Sequence, residues 1–89
     1  MEKYKQIKLL AKAFAIEILT ALNKQPLRFV DLKEHCPNDR TRALRLKELR
    51  KTGFIIMTVK EIKNHSFIHY QITDKGRKAL KLIEQIEKL

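Results

Sequence analysis

Between Arg40 and Lys51 the chain places six basic residues and one acidic one. A face grown for solubility would mix the two signs, and this segment does not. Ala43, Leu46 and Leu49 recur at the spacing of one helical face. With those three turned inward, Arg40, Thr41, Leu44, Arg45 and Glu48 turn outward. Arginine holds the O6 and N7 of guanine in a two-pronged hydrogen bond that discriminates by about 1–3 kcal/mol. The base-facing set expected from this pattern is Arg40, Thr41 and Arg45, with Arg42 at its margin and Leu44 against a thymine methyl. Asn38, Lys47, Arg50 and Lys51 are expected on phosphates, which set register without reading sequence.

A second cationic group, Lys60, Lys63, Asn64 and His65, lies between two runs of β-forming residues. Cations at such a tip suit a narrow minor groove. Because the tip has no arginine, backbone contact is expected there more than readout. Arg28 is a further phosphate candidate and equally a partner for Asp31 or Glu34. Other chemistry finds little support. His35 and Cys36 are adjacent, and His65 and His69 lie close together. No Cys-x-x-Cys, and no His-x-x-x-His on one helix, accompanies them, so no metal site is expected. There is no glycine-rich phosphate loop, no defensible Ser-His-Asp order and no paired carboxylates. Neither an enzyme nor a cofactor is expected, and Cys36 reads as a small buried apolar residue.

These groups must be carried by something small. The sequence has 89 residues, which allows one domain (1–89) and one modest core. Its 20 Lys and Arg against 10 Asp and Glu leave a formal charge of +10, which favours polyanionic partners. A hydrophobic content of 44%, with two Gly and two Pro, argues for a folded body over a disordered basic tail. The single Cys excludes an internal disulfide. The most apolar stretch, Leu9 to Leu22, is interrupted by Lys12 and Glu17 and is too short to cross a bilayer. It is expected to be a core helix of a cytoplasmic, nucleoid-associated protein with no membrane partner.

Apolar residues at Ile7, Leu10, Ala11, Phe14, Ile18, Ala21 and Leu22 predict one helix from Tyr4 to about Asn23. Leu27 to Phe29 reads as a short strand after Pro26. A brief helix opens at Val30 or Asp31 and runs to about His35, with Val30, Leu32 and Cys36 inward. Asn38 is placed to N-cap a helix from Asp39 to Lys51, and Gly53 to end it in a left-handed turn. Phe54–Val59 and Ser66–Ile72 predict two strands joined by a polar tip from Lys60 to His65. Thr73 caps a last helix carrying Ala79, Leu82, Ile83, Ile86 and Leu89. The order helix, short strand, helix, helix, strand, strand, helix is an α+β winged helix-turn-helix.

Three segments then carry a resemblance. Leu27-Arg28-Phe29-Val30-Asp31-Leu32 resembles the "RF-x-x-L" opening of HxlR-type winged-helix regulators. Arg45-Leu46-Lys47-Glu48-Leu49-Arg50-Lys51-Thr52-Gly53-Phe54-Ile55 is similar to the "rLkeLe-x-x-GLi" run of HxlR, MarR and PadR-like families. Tyr70-Gln71-Ile72-Thr73-Asp74-Lys75-Gly76-Arg77 resembles their "Y-x-L-T-x-x-G-r" close. Arg42 departs from the pattern, since HxlR-type proteins usually place an apolar residue there. The N-terminal segment also lacks the cysteine that some relatives use for sensing.

The resemblance implies a transcriptional regulator. The stripe Leu82, Ile86 and Leu89, with Tyr4, Ile7 and Leu10 opposite, suggests a homodimer through the terminal helices. The expected function is sequence-specific binding of double-stranded DNA and repression by occlusion, with no small-molecule effector evident. The alternatives are a sequence-tolerant architectural DNA-binding protein, or a winged-helix module for protein or RNA.

Overall fold

The computed structural model describes residues 3–89. Helix α1 (Lys5–Leu10) and helix α2 (Ala15–Lys24) precede a 3₁₀ turn at Val30–Glu34. Helix α3 (Asp39–Lys51), strands β1 (Ile55–Ile62) and β2 (His65–Ile72), and helix α4 (Asp74–Glu87) complete the order. The expected α+β winged helix-turn-helix is the architecture found.

The single N-terminal helix expected from Tyr4 to Asn23 is instead two. The chain breaks between Ala11 and Phe14, and Phe14 takes a left-handed backbone at φ 70°. Helical positions advance by roughly 100° per residue, so Leu9 and Ile18 would face opposite ways on one straight helix. Both are buried. The break lets both turn inward, at the cost of a conformation that a bulky residue rarely adopts.

Helix α3 has the predicted bounds. The Asn38 side chain accepts from the Thr41 amide at 2.9 Å, and Gly53 follows the helix at φ 81°. Thr73 caps α4 by accepting from the Gly76 amide at 3.1 Å. The expected short strand before the 3₁₀ turn shrinks to one antiparallel bridge. Leu27 donates to Tyr70 at 3.1 Å and accepts from it at 2.7 Å. Val30, expected inside, is exposed.

The strands run antiparallel from the pair Ile55–Ile72 to the pair Ile62–His65. Only Lys63 and Asn64 form the turn, at φ 50° and 67°. Two successive positive φ angles match the right-handed twist of a two-residue hairpin. The six-residue tip expected from Lys60 to His65 is therefore corrected: Lys60 and His65 belong to the strands. The hairpin projects from a molecule 47 Å long. The core joins Ile18, Leu19 and Leu22 of α2 to Leu46 and Leu49 of α3, with Leu32, Ile55 and Leu80 closing it.

Candidate nucleic-acid interface

Helix α3 is anchored by Leu46 and Leu49, and two arginines extend that buried stripe. Arg42 is 2% exposed and Arg45 8%. The outward placement expected for Arg45, and for Arg42 at its margin, is overturned. Positions 42, 45, 46 and 49 share the inner face, and Ala43, expected inside, is exposed.

Charge can stay buried here because each guanidinium is matched. Arg42 Nη1 donates to the Cys36 carbonyl at 2.7 Å, and Nη2 pairs with Asp39. Its guanidinium carbon lies 4.2 Å from the centre of the Phe29 ring, a cation–π distance. Arg42 thus ties the start of α3 to the turn before it. Its Nε is buried without a hydrogen-bond partner. Arg45 Nε donates to the Ala13 carbonyl at 2.8 Å, and Nη1 to Glu48 Oε1 at 2.6 Å. The other Glu48 oxygen accepts from Lys12 Nζ at 2.6 Å. Burial opposes the Glu48 charge, but the hydrogen bonds from Lys12 and Arg45 prevail and hold its carboxyl below the usual carboxylate range.

The outer face of α3 presents Arg40, Ala43, Leu44, Lys47, Arg50 and Lys51, with Thr41 half-buried beside them. Among the described residues, these four cations enter no ion pair. They recur along the helix with Leu44 half-exposed between them, and the exposed Asn38 cap stands at its start. Lys47, Arg50 and Lys51 also line a cleft of about 540 Å³ against Ile55, Ile56 and Met57 of β1. Lys63 and Asn64 occupy the hairpin turn, with Lys60 and His65 exposed on the flanking strands.

Arg28 is committed elsewhere. Its Nε and Nη2 grip the two oxygens of Asp31 at 3.0 and 3.1 Å, and its guanidinium carbon is 5.7 Å from the Phe67 ring centre. The Arg28 hydrogen bond is the main cause that lowers the Asp31 pKa. Cys36 is fully buried, and burial pushes its thiol up against the opposing charges of Arg42 and Arg45. Among the described residues, no group of three His, Cys, Asp or Glu side chains could hold a metal. No helix there is long and apolar enough to cross a membrane.

The terminal helices bring Ile7 and Leu10 of α1 together with Leu82 and Ile86 of α4. With Ile16, Phe54 and Ile83 they line an apolar groove of about 550 Å³. Ile7 and Ile86 are 63% and 65% exposed. Tyr4 and Leu89 are exposed beyond the groove lining.

What sequence reasoning missed was the rotation of α3. It counted Ala43 as core and Arg45 as surface, and so overlooked the outward aim of Ala43. The available signal was the acidic residue three positions from each buried arginine, Asp39 before Arg42 and Glu48 after Arg45.

Comparison with known proteins bears on the same elements. The structure superimposes on diamide-treated YodB from B. subtilis with a TM-score of 0.83 at 24% identity, covering 99% of this chain and 90% of that one. Reduced YodB, a transcriptional regulator, gives the same score and identity over 99% and 89%. A PadR family transcription regulator from Clostridium difficile R20291 gives 0.78 at 16% identity over 86% and 88%. At these identities the likeness is one of fold. No curated protein matches the chain. The profile of the HxlR-like helix-turn-helix family matches residues 9–89, which span both capped helices and the hairpin, and the chain belongs to that family.

Proposed function

We propose that residues 1–89 work as one DNA-binding unit. It is a homodimeric transcriptional regulator that sets α3 in the major groove and the hairpin on the backbone or minor groove, and represses by occlusion at the nucleoid. The observation that carries this reading is the outer face of α3, where Arg40, Lys47, Arg50 and Lys51 stand exposed and make no ion pair among the described residues. Arg40, Thr41, Leu44 and Lys47, with Ala43 small enough for close approach, take the base-facing role. Arg42 and Arg45 leave it, because both are spent inside the protein. Asn38, Arg50, Lys51, Lys60, Lys63, Asn64 and His65 fall to phosphates. The apolar groove between α1 and α4 is the dimer surface. Two-fold symmetry then places half-sites about 34–36 Å apart.

The test is selection of binding sites from random duplexes, followed by titration across salt. A palindromic motif is expected, with affinity falling steeply in salt as counterions are released from neutralised phosphates. Arg40→Ala should relax the preferred bases, whereas Lys63→Ala should weaken all sequences alike and shrink the salt slope by about one. Shifted duplex with no enriched motif would transfer the reading to an architectural coat. No shift at low salt would remove DNA altogether.

A further inference from the structure

Three side chains tie the joint at the end of the helix assigned to dimer contacts to the helix assigned to DNA. Helix α1 forms one wall of the apolar groove and ends at Leu10. The joint that follows, Ala11 to Phe14, carries the left-handed Phe14 at its end. From that joint Lys12 Nζ reaches Glu48 Oε2 at 2.6 Å, and the Ala13 carbonyl accepts from Arg45 Nε at 2.8 Å. Glu48 Oε1 closes the relay by accepting from Arg45 Nη1 at 2.6 Å. Glu48, which accepts, and Arg45, which donates, both lie on α3, more than thirty residues along the chain from the joint. The Arg45 side chain is 10% exposed, so this end of the relay is held in place, while Lys12 at the other end is half-exposed.

We infer that the Lys12–Glu48–Arg45 relay fixes the angle between α1 and α3, and so sets the separation of the two α3 helices in the dimer and the spacing of the half-sites it accepts. The inference rests on the reading of the chain as a dimeric DNA binder. Its logic is geometric. A dimer formed through α1 and α4 transmits any tilt of α1 to the partner, and the relay adds to the core that α3 shares with α2 and α4 a polar tie to the end of α1. The bond to a main-chain carbonyl fixes position, and the carboxylate between two cations fixes rotation. Lys12, Glu48 and Arg45 therefore act as positioning residues and need not touch DNA.

The variants are Lys12→Met, which cuts the relay at its solvent side, and Lys12→Arg, which preserves it. One arm selects sites from duplexes with fixed half-sites and a randomised spacer length. Wild type and Lys12→Arg should enrich one spacer. Lys12→Met should keep the same half-site bases and lose about 3- to 5-fold of its preference for that spacer, the size of a partly exposed ion pair. The second arm uses no DNA: spin labels at Leu44→Cys report the distance between α3 helices of the two protomers. That distance should be sharp in wild type and Lys12→Arg and broader in Lys12→Met. An unchanged spacer preference together with an unchanged distance distribution in Lys12→Met overturns the inference. Broadening without any enriched motif upholds the relay and removes the DNA reading instead.

Discussion

Gly76 sits where the first turn of α4 crosses the entry to the hairpin, and replacing it by alanine tests how tightly that crossing is built. A Cβ at this position would fall inside the van der Waals shell of the Phe54 carbonyl oxygen, 3.2 Å from its carbon and 2.6 Å from Cγ1 of Ile72. The carbonyl cannot retreat easily. It accepts from the Thr73 amide at 3.0 Å and from Thr73 Oγ1 at 3.0 Å, while the Phe54 amide donates to the Leu49 carbonyl at 3.0 Å. Phe54 and Ile72 are both buried. Relief must come from moving α4 off the hairpin, which loosens Ile72 and Leu80. Overpacking of this kind costs about 1–3 kcal/mol. A clash with main-chain atoms falls in the upper part of that range, about 2–3 kcal/mol, and alanine recovers about 1 kcal/mol as the better helix former, so the net loss should be about 1–2 kcal/mol. For a chain of this size each kcal/mol lowers Tm by about 4–8 °C. Thermal unfolding by circular dichroism measures it, with Lys78→Ala, on the exposed side of the same helix, as the control. An unchanged or raised Tm for Gly76→Ala would refute the close approach, since propensity alone predicts a gain.

Arg42→Met should destabilise by about 1–3 kcal/mol, because the buried Cys36 carbonyl loses its donor. Asp39→Asn should cost much less, its carboxylate being largely in water; urea titration separates the two. Asp31 and Glu48 are held below their ordinary pKa values of 3.8 and 4.5. The unfolded chain therefore binds more protons at acid pH, and their contribution is intact above the ordinary carboxylate range and lost as pH falls through the lower native values. Unfolding followed from pH 6 to pH 2 should show that loss, and Asp31→Asn should flatten it. Cys36, buried and with its thiol pKa raised, should resist a thiol reagent in native buffer and react once the protein is unfolded in urea.

The element order was legible because the sequence carries its own punctuation. Asn38, Gly53 and Thr73 each do locally what their types predict, and a cap depends on only a few neighbouring residues. The hairpin tip was misjudged because Lys60–Ile62 and His65 are polar or exposed enough to pass for loop. Cross-strand pairing extends the ladder over them regardless, until two residues accept positive φ. The break before Phe14 left no mark in composition. Its signal is a disagreement of phase, Leu9 lying off the stripe that Ile18, Leu19 and Leu22 define, and it emerges only once Leu9 is known to be buried.

The rotation of α3 was the costliest misreading for function, and it has a general cause. Positions 42, 45, 46 and 49 form a standard inward stripe at i, i+3, i+4 and i+7, hidden only because two of them are arginine. Arginine is almost never buried unless paired, so a reading by residue type sends it outward. Here the pairing is local in sequence, Asp39 to Arg42 and Arg45 to Glu48, and could have cancelled the presumption. The resemblance pointed the same way, because it marks position 42 as usually apolar and hence inward. Once Arg42 and Arg45 are assigned to the interior, the cations that remain on the outside are fewer and more telling. Arg40, Lys47, Arg50 and Lys51 lie on one face, and none of them pairs with a carboxylate of the described residues. The acidic residues that would have balanced them, Asp39 and Glu48, are consumed by the buried pair. The same ion pairs that hold α3 in place thus leave its outer surface with unbalanced positive charge.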